Sequence, residues 1–153
     1  MNTAHWAENV RQEELRRVVS SLLNLLPRIY ITARDLSVDT SLNEGYIDQA
    51  LEEDTYDTVR RNLEFIFGEH DTYLETFESD MKYSDTPIAA SISEGISDLF
   101  QVFYNFLETV RDAPDELINE AIAAIKEDFE YNWSVTLCNL LRPLNSLYYN
   151  EQL

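Results

Sequence analysis

Apolar residues recur at steps of three and four along most of the chain, which is the spacing that one buried face of a helix requires. The first stripe extends from Leu15 to Tyr30 and contains Pro27, which should kink the helix or split it in two. The second predicts a helix from about Glu52 to Phe77. Both segments are long enough to place one face in a common core.

Two further stripes lie in the second half of the chain. The third should begin at Thr86, an N-cap residue, which is followed by Pro87 at the first helical position. The fourth extends from Leu117 to Leu144, and Pro143 should bend the helix or end it. The pattern therefore predicts two more helices, of which the last is long and bent.

The connectors between the stripes complete the expected architecture. Residues 37–50 are polar and should form a loop, and residues 1–10 should be frayed. Glycine occurs three times and proline four times, and this scarcity of turn-forming residues favours helices over an all-β fold. We therefore expect a single all-α domain over residues 1–153, an irregular antiparallel bundle of about four to six helices, some of them kinked at prolines.

Negative charge is concentrated in the second part of the chain. The 153 residues carry 29 acidic side chains against 11 lysines and arginines, a net charge of −18. Residues 1–51 contribute −2 and residues 52–153 contribute −16. Such a surface repels the phosphates of nucleic acids, so direct nucleic-acid binding is not expected. It attracts basic proteins and speeds encounter with them, which favours a basic protein partner.

The expected compartment follows from cysteine usage and from the lack of membrane signals. No stretch reaches the ~18 consecutive apolar residues of a membrane span, and the polar start from Met1 to Trp6 is unlike a signal peptide. The single cysteine, Cys138, cannot form an internal disulfide. We expect a cytoplasmic protein without a membrane segment, in which Cys138 is a small buried apolar residue. The sequence does not predict the oligomeric state.

The sequence contains none of the residue constellations that mark common catalytic sites. Its two histidines, His5 and His70, stand beside no nucleophile, and Gly-rich phosphate loops, CxxC and HExxH motifs are absent. No catalytic residue, metal ligand or cofactor is therefore predicted, and an enzyme is the less favoured class. One alternative stays open, a metal-dependent nucleotide or phosphoester hydrolase that uses carboxylates on its helices. Its candidate ligands are Glu69, Asp80, Glu94 and Asp98.

The most site-like stretch is the polar connector before the third stripe, which interleaves charge, an aromatic ring and hydroxyls beside a helix N-terminus. The simpler interpretation assigns these side chains to capping and packing. Upstream, His70 should lie at the edge of the core as a hydrogen-bonded histidine, between Glu69 and Asp71, which should face solvent. A pocket around His70 and Tyr83 would suit a small-ligand binder. The candidate functional surface comprises Glu69, His70, Asp71, Asp80, Lys82, Tyr83, Asp85 and Thr86.

Several runs of residues together resemble one bacterial protein family. In the central part they are Gly68-Glu69-His70-Asp71, Tyr73-Leu74 with Phe77, the run from Asp80 to Ile88, and Ile92-Ser93-Glu94. Nearer the ends they are Leu25-Leu26-Pro27 with Tyr30, and Trp133 with Leu140-Leu141-Arg142. The chain resembles the family catalogued as domain of unknown function 5063, found in Bacteroides-like bacteria. The likeness covers about residues 12–148 and implies a compact helical fold of cytoplasmic type.

The resemblance brings expectations of its own. Family members carry an additional apolar helix before the position of Arg11, where this chain has a short polar start, and a helix-friendly residue at the position of Pro143. No catalytic residues are established for the family, but its genes neighbour those of a 3′–5′ exonuclease and a ribosomal RNA methyltransferase. We therefore expect an acidic protein-interaction module, an adaptor or regulator of a basic partner, for which the resemblance suggests an RNA-processing enzyme.

Overall fold

The computed structural model describes residues 3–38, 45–75 and 88–150. Its elements, in chain order, are α1 (Thr3–Asp35), α2 (Glu53–Phe67), a 3-10 helix (Gly68–Asp71), β1 (Thr72–Glu75), β2 (Ile88–Ser91), α3 (Ile92–Val110), α4 (Asp115–Asp128), a π turn (Phe129–Trp133) and α5 (Ser134–Asn150). Because α4, the π turn and α5 are continuous, the described residues form four helical rods and one two-stranded sheet, which confirms the predicted all-α class. None of these helices combines the length and the apolar character needed to cross a bilayer.

The first rod lies antiparallel to the last. In the first half of α1, the Arg16 guanidinium lies 5.1 Å from the ring centroid of Tyr148, near the end of α5. Near the end of α1, the rings of Tyr30 and Phe129 meet edge to face, with 5.3 Å between their centroids. The order of these contacts fixes the relative direction of the two rods, so this pair has the antiparallel arrangement expected here.

Two prolines lie inside unbroken helices. Pro27 lies within α1 and Pro143 within α5, so neither the split expected at the first nor the end expected at the second occurs. Packing outweighs the lost hydrogen bond, because Leu26 and Leu144 beside these prolines are buried in the core. Helix α1 also includes residues 3–10, which are helical and exposed rather than frayed.

The core forms where α1, α3 and the last rod meet. Its buried apolar residues are Leu15, Val19, Leu26, Ala33, Phe67, Ile92, Leu99, Ile125, Phe129, Trp133, Leu137, Leu140, Leu144 and Leu147. Helices α3 and α5 cross closely at Gly95, where an added Cβ would lie 2.8 Å from Cδ2 of the fully buried Leu140. This contact fixes the position of α3, whose N-terminal end directly follows strand β2.

The second predicted helix is too long. It ends at Phe67 rather than Phe77, because Gly68 adopts φ 54° and ψ −127°, a conformation that residues with a Cβ rarely adopt. The Gly68 N–H still donates to the Glu64 carbonyl and so closes the helix. The chain then makes one 3-10 turn and enters β1.

The start of the third predicted helix is also wrong. Residues that should form its first turn are strand β2, which pairs antiparallel with β1, and α3 begins at Ile92. Ser91 is its N-cap, since the Ser91 hydroxyl accepts a hydrogen bond from the N–H of Glu94 at 3.3 Å. The expected N-cap Thr86 and the expected first helical residue Pro87 lie outside the described residues.

The described part of the 37–50 loop is held against the bundle. The Asn105 side-chain oxygen accepts hydrogen bonds from the backbone N–H groups of Ala50, at 3.0 Å, and Leu51, at 2.8 Å. At the other end of this stretch, a Cβ on Gly45 would lie 2.7 Å from the Glu120 carbonyl oxygen, so only glycine permits this approach to α4. Residues 45–51 therefore belong to the surface formed by α3 and α4.

Replacing Gly68 with alanine should lower the free energy of unfolding by about 1–3 kcal/mol, the usual cost of forcing a Cβ into a disfavoured backbone conformation. Nothing lies within 4 Å of the position that the Cβ would take, so the cost is one of backbone conformation and not of a clash. Urea unfolding measures the difference. Asn62→Ala, an exposed change on α2, serves as the control and should stay within about 0.5 kcal/mol of wild type. Equal midpoints for the glycine variant and wild type would contradict this role of Gly68.

Candidate functional site

The structure describes only part of the candidate functional surface. Glu69, His70 and Asp71 lie in the 3-10 helix that connects α2 to β1. The other five predicted residues lie outside the described residues, namely Asp80, Lys82, Tyr83, Asp85 and Thr86. The structure therefore places three of the eight side chains, and these three do not share one role.

Asp71 points inward and caps α3, contrary to the expectation that it faces solvent. One carboxylate oxygen, Oδ1, accepts from the N–H of Ser93 at 2.7 Å. The other, Oδ2, accepts from the hydroxyls of Ser93 at 2.7 Å and of Ser91 at 2.9 Å. A carboxylate satisfies N–H groups that lack a partner in the first turn and is favoured by the helix dipole. Asp71 is therefore a structural residue that joins the 3-10 helix to α3.

His70 lies at the edge of the core, as expected, with 29% of its side chain exposed. Its Nε2 lies 3.8 Å from Oε1 of Glu69, and among the described residues no hydrogen bond to the ring is present. The expected hydrogen-bonded core histidine is therefore not what the described structure shows. Glu69 faces solvent, with 89% of its side chain exposed.

Two clefts meet at His70. The first has a volume of about 370 Å³ and lies between the 3-10 helix, β1 and α5. Beside His70 and Glu69, its lining includes Thr72, Ile92, Arg142, Ser146 and Leu147. The second has a volume of about 340 Å³, lies between α1 and the end of α2, and includes Arg11. His70 is therefore accessible from two sides and lies within reach of basic side chains.

A third cleft, of about 260 Å³, gathers three carboxylates between the sheet, α3 and α5. They belong to Glu75, which is 4% exposed, and to Glu94 and Asp98. The Tyr56 hydroxyl donates to Oδ1 of Asp98 at 2.6 Å. Burial of the ring, together with this hydrogen bond and the charges of Asp98 and Glu94, raises the pKa of Tyr56. The hydroxyl therefore remains a donor that holds Asp98 in place.

The carboxylates considered as metal ligands lie in different clefts. Glu69 lines the clefts at His70, whereas Glu94 and Asp98 line the cleft beside Tyr56, and Asp80 is outside the described residues. Across residues 3–38, 45–75 and 88–150, no three His, Cys, Asp or Glu side chains are grouped so that they could hold a metal ion. Glu69, Glu94 and Asp98 therefore do not form one metal site.

Cys138 is exposed, contrary to the expectation of a buried residue. Leu137 and Leu140 take the buried positions of this turn of α5, and the rotation of about 100° per residue carries Cys138 outward. Partial burial of the thiol raises its pKa, which lowers the fraction of reactive thiolate. The structure thus gives no sign that Cys138 is a nucleophile.

Three acids form a stripe along α4. Glu116, Glu120 and Glu127 are separated by four and seven residues, so they share one face of the helix, which we call the α4 acidic face. Among the described residues none of the three has an ion-pair partner. Lys126 is the one base in α4, and its ammonium donates to two carbonyls at the end of α1, at 2.6 and 2.7 Å. The charge of this face is therefore not neutralised by its own helix.

Exposed apolar side chains adjoin the α4 acidic face. Leu117 is 50% exposed beside Glu116, and Tyr46 is 67% exposed. Tyr46 follows Gly45, whose backbone lies against the Glu120 carbonyl. Two other surfaces differ in charge, because α5 carries one arginine and no acid, and α1 carries five arginines against four acids. The surface of α4 is thus more acidic than the surfaces of α1 and α5.

Comparison with known families assigns the chain. A family model described as a domain of unknown function, DUF5063, matches residues 3–150. The chain belongs to this family. The family inferred from the central runs of residues is therefore confirmed, and it extends over nearly the whole chain.

A solved structure supports the fold of this DUF5063 member. The crystal structure of protein BF1032 from Bacteroides fragilis is similar with a TM-score of 0.71 at 24% sequence identity. The match covers 88% of this chain and 80% of that chain. A comparison with curated proteins finds no match. The likeness shows the fold alone, so function must be argued from the surface of the DUF5063 chain itself.

Several contacts that form the clefts of this DUF5063 member carry no signal in the sequence. Tyr56 and Asp98 are 42 residues apart, and Arg142 reaches the carbonyl of Leu74 from 68 residues away. In the sequence, Glu75 is as compatible with the exposed face of a helix as with a strand. Its burial becomes apparent only when β1 pairs with β2. These contacts depend on tertiary packing and not on local spacing.

Proposed function

We propose that this protein is an acidic interaction module that binds a basic protein through the α4 acidic face. The observation that carries the proposal is the set of three carboxylates on one side of α4, two of them exposed and that of Glu127 half-buried, without a base paired to them among the described residues. Like charges four residues apart, such as Glu116 and Glu120, destabilise a helix by about 0.2–0.5 kcal/mol. Positive charges from a partner would remove this repulsion.

The surroundings of the stripe support a protein as the partner. Tyrosine is enriched at interface positions that contribute most of the binding energy, and Tyr46 is exposed beside the stripe. Leu117 adds apolar area on the same helix. Exposed carboxylates act chiefly by steering a basic partner to this surface, while the apolar contacts slow its dissociation.

The partner class that we propose is a protein that works on RNA. Such proteins carry lysine- and arginine-rich surfaces because they neutralise phosphates. An acidic, partly apolar face can bind such a surface as an adaptor or regulator. A cytoplasmic location is part of this proposal and is supported by the single cysteine, which suits a reducing compartment.

The test uses two variants with equal loss of charge. One carries Glu116→Gln, Glu120→Gln and Glu127→Gln, which neutralise the α4 acidic face. The matched control carries Glu8→Gln, Glu13→Gln and Glu14→Gln, which remove three exposed acids from α1. Tagged wild-type protein and both variants are used to capture proteins from a lysate of the source cells, and the bound proteins are quantified by mass spectrometry.

The proposal predicts that one basic protein is recovered by wild type and by the α1 variant, and that the α4 variant recovers about tenfold less of it or none. Equal recovery by all three proteins would show that the α4 acidic face is not part of the interface. Loss with both variants would show that only total charge matters, which also contradicts the proposal. Circular dichroism of the three proteins checks that each is folded.

A further inference from the structure

We propose that the first cleft at His70, between the 3-10 helix, β1 and α5, binds a small organic oxyanion, a phosphate or carboxylate group attached to an apolar body. This site is separate from the α4 acidic face. The inference rests on one arginine held in place without an acidic partner in the part of the chain that the structure describes, on hydroxyls beside it, and on an apolar floor.

Arg142 is the anion-binding group. Its Nη2 donates to the carbonyl of Leu74, which fixes the guanidinium against β1. A guanidinium has five N–H donors, so most of them remain free for an oxyanion. Although the chain carries 29 acids, no carboxylate among the described residues lies within ion-pair distance of Arg142. An anchored arginine that lacks a carboxylate is suited to bind one, or a phosphate, from outside.

Neutral donors lie in the same cleft. The Ser146 hydroxyl accepts from the side-chain amide of Asn150 at 3.3 Å, so its own hydrogen is left to donate to a ligand. Thr72 and the half-buried ring of His70 complete the polar side. Among the described residues that line the cleft, the one acidic side chain is that of Glu69, which lies at the rim and is 89% exposed. Among the described residues, the lining therefore offers several hydrogen-bond donors to an anion and one carboxylate, at the rim.

The rest of the lining is apolar. Ile92 and Leu147, exposed by 1% and 4%, form a floor together with Pro143. The volume of about 370 Å³ is in the range of small-molecule pockets and accommodates one ring with its charged substituent. The absence of acids from α5 limits the repulsion that an overall charge of −18 would exert on an anion bound here.

The probe is phenyl phosphate, titrated into the ¹⁵N-labelled full chain and followed by amide chemical shifts. The proposal predicts saturable shifts at residues 69–74 and 142–147, and weaker binding of both inorganic phosphate and phenol. Arg142→Gln should weaken binding about tenfold or more, because it removes the charged donor. Arg28→Gln, at an exposed arginine of α1 outside the cleft, is the matched control and should bind as wild type does.

A second variant separates binding from folding. Ser146→Asp leaves the contact between Arg142 and Leu74 in place and adds a negative charge to the cleft, so binding should again fall about tenfold or more. Benzoate in place of phenyl phosphate decides between a carboxylate and a phosphate ligand. Unchanged affinity in Arg142→Gln and Ser146→Asp, shifts confined to other surfaces, or equal binding of inorganic phosphate and phenyl phosphate would each overturn the proposal.

Discussion

Replacing Asp71 with alanine is expected to lower the free energy of unfolding by about 3 kcal/mol, which is a large fraction of the stability of a domain of this size. The carboxylate accepts three hydrogen bonds from Ser91 and Ser93, and Ser93 is fully buried. Alanine would leave these donors without their charged acceptor and would remove the cap of α3. Asp71→Asn should cost less, because it keeps an acceptor in the same place.

Glu69→Ala is the matched control for this effect. Glu69 lies two residues away in the same 3-10 helix, with its side chain 89% exposed, so its loss should change the free energy of unfolding by about 0.5 kcal/mol or less. Urea unfolding followed by circular dichroism gives both values. If Asp71→Ala and Glu69→Ala unfold at the same urea concentration as wild type, Asp71 does not act as the cap of α3.

Replacing Trp133 with alanine is expected to cost about 4 kcal/mol, since truncation of a buried tryptophan removes apolar contacts and leaves a cavity. Trp133 is 5% exposed, and its ring lies 5.3 Å from that of Phe103 and 4.6 Å from that of Phe129, between centroids. Its indole N–H donates to the Ile125 carbonyl at 3.2 Å. Trp133→Phe should cost less, because it keeps an aromatic ring in the core.

The chain offers a sensitive measurement and a matched control for this prediction. Trp6 is the second tryptophan and is 61% exposed, so Trp6→Phe leaves Trp133 as the one tryptophan reporter of the core. Tyr131→Ala, at a 72% exposed position of the same π turn, should change stability by about 0.5 kcal/mol or less. Equal effects of Trp133→Ala and Tyr131→Ala would show that the π turn does not orient Trp133 into the core.

The long fourth stripe predicts a helix, and its spacing also contains the signal of the π turn. Ile125, Phe129, Trp133 and Leu137 follow one another at four-residue steps, and each such step rotates a position by about 40° around an α-helix. Three successive steps would carry the stripe well out of the core. The wider π turn at residues 129–133 removes this drift, so all four side chains are buried.

The pairing of β1 with β2 could not be predicted from the spacing of apolar residues alone. Tyr73 and Leu74, and later Ile88, are short apolar runs that fit a helix and a strand equally well. The local clue was Gly68, since glycine ends helices more often than it interrupts them. The role of Asp71 depends on the same hairpin, because pairing of β1 with β2 brings it to Ser93, 22 residues further along the chain.

The two candidate sites differ in how far the sequence predicts them. The charge of α4 and the spacing of Glu116, Glu120 and Glu127 are visible in the chain, and a helical wheel places them together. That these acids have no ion-pair partner among the described residues is not visible in the sequence, because it depends on Lys126 turning to the end of α1. The cleft at Arg142 needs three separate segments to meet, so spacing along the chain carries no signal of it.

The most direct test of the proposed interaction is the affinity of the captured basic partner for wild type and for the Glu116→Gln, Glu120→Gln, Glu127→Gln variant, measured by calorimetry at low and at physiological ionic strength. We expect wild-type affinity to fall as salt rises, and the variant to bind more weakly with a shallower salt dependence, because screening acts on the charges it has lost. Equal affinities and equal salt dependence for the two proteins would contradict the α4 acidic face as the binding surface.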